Sequence, residues 1–206
     1  MSDETSIANL ALAHLGQNQI MALTDDSATA RFCNVYYPQA RDEVLASHPW
    51  TFALKRANLS RLVATPISQW DYQFQIPSDC IRVMQMNGFG WWHAEGRWAI
   101  EGRVLLTSDT EASIKYIHRI TDASQFTPLF IEAVSVKLAS RLAVPLAGDK
   151  SAMQALLSEY ERITGPKARR TDAFEGNPPV TPAFVNSQLV QSRHGGSNAY
   201  YRGDSY

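Results

Sequence analysis

Trp70-Asp71-Tyr72-Gln73-Phe74-Gln75-Ile76 alternates bulky and polar side chains, and Pro77-Ser78-Asp79 then turns the chain into Cys80-Ile81-Arg82-Val83-Met84. A period of two places successive side chains on opposite faces of a strand, and a Pro-Ser-Asp cluster is turn chemistry. The stretch therefore predicts two consecutive strands of an antiparallel β region. The same texture runs outward from Trp50 to about Ile120, with β-branched and aromatic residues at alternate positions and Gly, Asn or Asp between the runs. Glu95-Gly96 and Glu101-Gly102 mark hairpin tips on either side of Arg97 to Ile100, and Ile114, Tyr116, His118 and Ile120 are placed on one face of a last strand.

On both sides of this region the apolar period becomes helical. Asp3 caps a first helix near residues 3–15, with Ile7, Leu10, Ala11 and Leu15 on one face and Gly16 as its stop. Asp26 or Ser27 opens a second helix near 27–47, carrying Cys33, Tyr37, Ala40 and Val44 on a stripe. Pro38 removes one of its internal hydrogen bonds and is expected to kink it, and Pro49 ends it by pushing His48 out of helical geometry. Thr127-Pro128 starts a third helix near 128–145, with Ile131, Val134, Leu138 and Leu142 at helical spacing. Asp149 caps a fourth near 150–164, with Met153, Leu156, Leu157, Tyr160 and Ile163, and Gly165-Pro166 is expected to terminate it.

The expected fold is therefore α+β: a four-helix bundle with an antiparallel β region inserted between its second and third helices. The first 166 residues form one domain, helical over 1–49 and 121–166 and β over 50–120, and residues 167–206 form an extended C-terminal arm. From Thr171 to Tyr206 the chain holds Pro178, Pro179 and Pro182, with many Asn, Gln and Ser, and has no sustained period. It still spaces out Phe174, Phe184, Val185, Leu189, Tyr200, Tyr201 and Tyr206, more apolar anchors than an inert linker needs. That pattern suits an arm that orders on a partner.

Composition excludes several classes. Of the 206 residues 45% are hydrophobic, so the chain is not wholly disordered, and 19 Lys+Arg against 20 Asp+Glu leave a net charge of −1, far from the basic excess of a protein that grips DNA through many phosphates. No apolar run approaches the roughly 18 residues of a membrane span. The start MSDETSIANL is acidic and polar rather than basic and apolar, so the chain is expected to stay in the cytoplasm of the cell that makes it. Cys33 and Cys80 are far apart, without a CxxC spacing, and are expected to be buried thiols rather than a disulfide or metal ligands.

Catalytic motifs are equally sparse. His14, His48, His93, His118 and His194 show no HExxH or i, i+4 pairing, and no GxSxG, P-loop or strand-to-helix GxGxxG occurs. No cofactor or metal is expected. The residue pattern that best suits acid–base chemistry is Glu95 with Glu101 beside Trp91, Trp92 and Trp98, because glycoside hydrolysis needs two carboxylates and an aromatic sugar cleft. The competing expectation, two solvated glutamates at hairpin tips, carries more weight. Arg41-Asp42, Lys55-Arg56 and Arg61 are expected on ordinary solvated faces.

Ile7-Ala8-Asn9-Leu10-Ala11-Leu12 through Leu15-Gly16, Tyr37-Pro38, Arg41-Asp42, Leu45 and His48-Pro49-Trp50-Thr51-Phe52-Ala53 together resemble the tail tubular protein A family of short-tailed bacteriophages. Trp70-Asp71-Tyr72, Ile76-Pro77-Ser78-Asp79-Cys80-Ile81-Arg82-Val83, Glu101-Gly102-Arg103-Val104-Leu105 and the Phe130 to Pro145 helix continue the resemblance, which covers about residues 5–165. It implies a non-enzymatic virion protein, a head-to-tail connector adaptor. Identical subunits, twelve by analogy with portals, would form a ring between the capsid portal above and a tail nozzle or tube below, with the genome passing through the lumen without specific binding and no membrane involved. The arm would reach into the portal, with Phe184, Leu189, Tyr200 and Tyr201 as its anchors. Some related adaptors are described as cell-wall hydrolases, which makes a virion-associated peptidoglycan hydrolase using Glu95 and Glu101 the alternative.

Overall fold

The computed structural model of the chain describes residues 3–67, 69–90 and 97–176. Its helices are α1 (Glu4–His14), α2 (Ala28–Ser47), α3 (Pro128–Ala147), α4 (Lys150–Glu159) and α5 (Gly165–Glu175), the last two joined by a π-helical segment, Tyr160–Thr164. Between α2 and α3 lie β1 (Leu54–Asn58), β2 (Tyr72–Gln75), β3 (Cys80–Met86), β4 (Phe89–Gly90), β5 (Trp98–Glu101), β6 (Val104–Thr107) and β7 (Ser113–His118). The fold is α+β, with helices on either side of an antiparallel insertion, as the change of apolar period predicts.

α3 is the axis of the helical part. Phe130, Ala133, Val134, Val136, Leu138, Ala139, Leu142 and Ala143 are all buried, so apolar residues surround the helix rather than forming one stripe, as a central helix requires. Against it pack Ile7, Ala8, Ala11 and Leu12 of α1 and Cys33, Tyr37, Ala40 and Val44 of α2. α1 is rotated from the expected face: Ala8 and Leu12 are buried, while Leu10 is half-exposed. Asp3 and Ser27 accept from the free N–H groups of the first turns of α1 and α2, as their positions predict. α3 passes Pro145, its expected end, and stops two residues later because Gly148, at φ 65°, supplies the left-handed cap.

Strands form two sheets, β1-β7-β3-β4 and β2-β6-β5, with every pairing antiparallel. Phe74, Met86, Leu105, Ile114 and Tyr116 fill the space between them as a second core. β1 joins the sheets: after Leu59 donates to Ala112, Ser60 and Leu62 pair with Gln75 and Gln73 of the other sheet. β7 serves both cores. Ile114 and Tyr116 face the sandwich and Ile117 faces the helices; Ile120, expected on the face of Ile114, also packs with the helices, because the strand has ended at His118. Cys33 is buried, whereas Cys80 is only half-buried at the start of β3; burial pushes both thiols up, to about 11.

The largest departure from expectation lies at Gly165-Pro166, which continues the helix instead of ending it. Gly165 donates to Tyr160 O, one residue further back than in an α-helix, and this wide turn carries the chain past Pro166, the residue without a donor. A Cβ at Gly165 would lie 2.7 Å from that same carbonyl, so the turn closes only around glycine. α5 then covers residues assigned to the arm, with Ala168 and Asp172 turned inward. The arm's remaining stretch, 177–206, lies outside the described residues.

Gly165→Ala should cost about 1–3 kcal/mol, as overpacking does. Urea denaturation of the two proteins measures it, and a loss below about 0.5 kcal/mol would show that the wide turn relaxes around a methyl group.

Candidate functional site

His48-Pro49-Trp50-Thr51, the segment that ends α2, meets α5 at Asp172. Pro49 holds His48 extended, at φ −150° and ψ 148°, which ends the helix and presents the imidazole to the carboxylate. His48 Nε2 lies 3.1 Å from Asp172 Oδ2, while Thr51 donates to Oδ1 from its backbone N (2.9 Å) and its hydroxyl (2.8 Å). Asp172 is 4% exposed, so it is a buried carboxylate with both oxygens engaged. The His48 ring also stands edge-on to Trp50, with centroids 5.0 Å apart.

This arrangement is a clamp rather than a relay. In a nucleophilic triad the histidine stands between hydroxyl and carboxylate. Here the Thr51 hydroxyl and the His48 ring both bind Asp172, so the imidazole has no contact with the hydroxyl that would activate it. What the group can do is hold α5 against the end of α2 and respond to pH. Burial holds His48 below its ordinary value of 6.5; Asp172 opposes this, and the Arg169 and Arg82 guanidinium groups reinforce it.

A second polar cluster ties the α1–α2 pair to the sheet. Arg41, expected on a solvated face, is 5% exposed because α2 turns its Tyr37–Arg41–Val44 side inward. Its guanidinium lies 2.9 Å from Asp42 and 3.7 Å from Glu4. Asp42 also binds Arg119 Nε at 2.7 Å, just beyond β7, and Arg119 N donates to Asp79 O. The Asp79 carboxylate receives Lys55 Nζ at 3.2 Å and Tyr116 OH at 3.2 Å. Lys55, Arg56 and Arg61 are exposed, as expected.

Glu101 is exposed at the tip of the β5–β6 hairpin, and Trp98 packs partly on the sandwich core. Glu95, Trp91 and Trp92 lie outside the described residues, as do His93, His194 and the arm anchors Phe184, Leu189, Tyr200 and Tyr201. His118 Nδ1 is 2.9 Å from Ala53 O, a structural contact. Asp172 was not legible as a site residue because it falls in a segment dominated by Gly, Pro and charge. The available signal was Ala168 and Asp172 four residues apart after a proline at a helix start.

Asp172→Ala should destabilise the chain by about 1–3 kcal/mol, since it strands the Thr51 N–H and the His48 ring. The pH dependence follows from the lowered His48 value: between that value and 6.5 the unfolded chain binds more protons, so stability rises with pH. Melting temperature should fall between pH 7 and 5, and His48→Gln should flatten that part of the fall; an unchanged profile would remove His48 as the titrating group. No protein-family model and no curated protein matches this chain.

Proposed function

We propose that this chain is a structural head-to-tail connector, a ring-forming adaptor between a capsid portal and a tail nozzle or tube, with the genome passing through its centre. The observation that carries this proposal is the use made of the clustered polar groups. Asp172 with His48 and Thr51, Arg41 with Asp42 and Arg119, Asp79 with Lys55 and Tyr116, and Glu43 with Lys137 and Arg141 all fasten one element to another. Groups consumed in this way give a stiff body rather than a reactive centre. Lys137 is an example: it is nearly buried, 2.7 Å from Glu43 and stacked over the Tyr160 ring at 4.9 Å.

A closed ring of identical subunits needs two different, mutually complementary surfaces on each copy. A helical core and a β-sandwich core supply chemically distinct ends. The resemblance carried by His48-Pro49-Trp50-Thr51 and Pro77-Ser78-Asp79 adds support, since those residues fasten the end of α2 to α5 and β1 to the turn before β3. Gly176 lies against Thr51 of the first segment, and the proposed portal anchors Phe184, Leu189, Tyr200 and Tyr201 follow it in sequence.

Purified chain mixed with a cognate portal should add a ring of density beneath it in negative-stain images; images without added density would overturn the assignment. Because Asp172 belongs to the body, the arm is removed cleanly only after Gly176. Residues 1–176 should melt within about 2 °C of the full chain, as expected when no packed core is lost, yet bind portal at least about tenfold more weakly. If the shortened chain binds equally well, the body itself makes that contact. Glu95→Ala with Glu101→Ala should leave particle infectivity within about twofold, as the Glu-Gly hairpin-tip sequences predict. Normal assembly with failure on intact cell wall would instead favour the peptidoglycan hydrolase.

A further inference from the structure

The face of the four-stranded sheet turned away from the sandwich core carries a groove that begins at the end of α5 and crosses β1, β7 and β3. At its α5 end it is lined by Leu54, Met84 and Ala173 beside the paired His48 and Asp172; further along it is lined by Arg56, and Gln85 and Lys115 belong to both stretches. Arg56 and Lys115 are direct cross-strand partners. Like charges in that register repel. Among the described residues neither forms an ion pair. Arg82, exposed on β3 and in register with Ile117 on the helix side of β7, adds a third cation. The groove therefore suits an occupant with an apolar side chain beside a carboxylate.

The loop between α1 and α2 presents that chemistry. Met21 is 91% exposed, and the loop around it is held in shape rather than loose. The Asn9 amide donates to Ile20 O at 3.0 Å and accepts from Ile20 N at 2.9 Å, while Asp25 Oδ2 accepts from Met21 N at 2.8 Å and Ala22 N at 3.0 Å. Next to it the Asp26 side chain is 97% exposed and, among the described residues, paired with Arg31, itself 65% exposed, a pair that water keeps weak. These hydrogen bonds fix the backbone beneath Met21, so the knob's loop loses little freedom on docking and the cost falls on the Met21 side chain alone.

Knob and groove cannot meet within one chain. The loop enters α2 at Ser27, and the groove starts beside His48 at the far end of that 20-residue helix, roughly 30 Å away at the α-helical rise. We infer that the Met21–Asp26 loop of one copy docks in the Arg56–Lys115 groove of the next, Met21 against the apolar end and Asp26 facing the cations. The inference rests on the ring assignment above and names its subunit contact. Three cations beside an apolar wall favour a protein segment over a nucleic-acid backbone, which needs a longer cationic track.

The test uses the full chain in sedimentation velocity over a concentration series up to the millimolar range, with negative-stain imaging of the products. Met21→Glu and Lys115→Glu should each weaken self-association by about tenfold or more. The exchange D26K/K115E should recover association to within about threefold of the parent, although each single change impairs it. An equimolar mixture of Met21→Glu and Lys115→Glu proteins, each retaining one good surface, should stop at dimers. Association unaffected by either substitution, or a chain that stays monomeric throughout, overturns the inference. So does association lost on removing residues 177–206 alone, which would make the chain's own arm the occupant, and so does a Lys115→Glu effect confined to duplex DNA binding. Rings that persist in Met21→Glu overturn this contact and spare the ring assignment; open filaments or dimers held by it do the reverse.

Discussion

The indole of Trp50 ties the end of α2 to α3 at the point where the chain enters the sheet. It is 1% exposed, its Nε1 donates to Val44 O at 2.9 Å, and its ring meets Phe130 edge-on at 5.0 Å and Phe52 at 6.1 Å. Val44 O lies in the last turn of α2, where carbonyls have no intrahelical partner. The Ser47 hydroxyl binds the same carbonyl, and the indole in addition seeds the aromatic cluster through which the chain enters the sheet. Phe52 and Phe126 extend that cluster around Phe130 of α3. Ending α2, starting β1 and seating α3 are thus coupled through a few rings. The Asp172 clamp lies next to it and fixes α5 to the same joint.

Much of this was legible from residue periodicity. Tyr72 to Gln75 alternates because one face of β2 packs on the sandwich core, and Ile131, Val134, Leu138 and Leu142 recur because α3 is helical; both patterns come from local geometry and survive folding. What failed depends on contacts distant in sequence. Arg41 reads as a surface cation until α1 brings Glu4 to it. Ile120 reads as a continuation of the Ile114 face until the strand ends and the residue turns to the helices. Gly165-Pro166 has the composition of a helix stop, and only the Tyr160 carbonyl behind it turns the pair into a wide turn within a longer helix. The His48–Asp172 pair joins residues 124 positions apart, beyond the reach of any spacing rule.

The near-neutral charge takes on a local meaning in the structure. A buried carboxylate is tolerated when its lone pairs meet donors, and Asp172 meets two from Thr51 and the His48 ring. Relative to a well-packed apolar pair, such groups add little net stability. They do reject misregistered packing, because sliding α5 by one residue would bury an unmatched charge. The Asp42–Arg119 pair acts similarly between α2 and the residues after β7. Hydrophobic burial in the two cores supplies most of the driving force, and directional polar contacts select one mutual orientation for the pieces.

Orientation matters most if copies of the chain close into a ring. In the proposed twelve-fold assembly each step turns about 30°, and an error in the angle between the two docking surfaces repeats at every step instead of averaging away. A loose joint would then yield open helices or rings of mixed size. The knob on the Met21 loop and the groove across β1, β7 and β3 are separated by α2 and by the Trp50 joint, so the angle between them is set by those two elements. α2 runs unbroken from Ala28 to Ser47 through Pro38, and an aromatic cluster and a matched buried carboxylate brace its end. On the proposed ring, stiffness at Trp50 and Asp172 is the requirement from which closure follows.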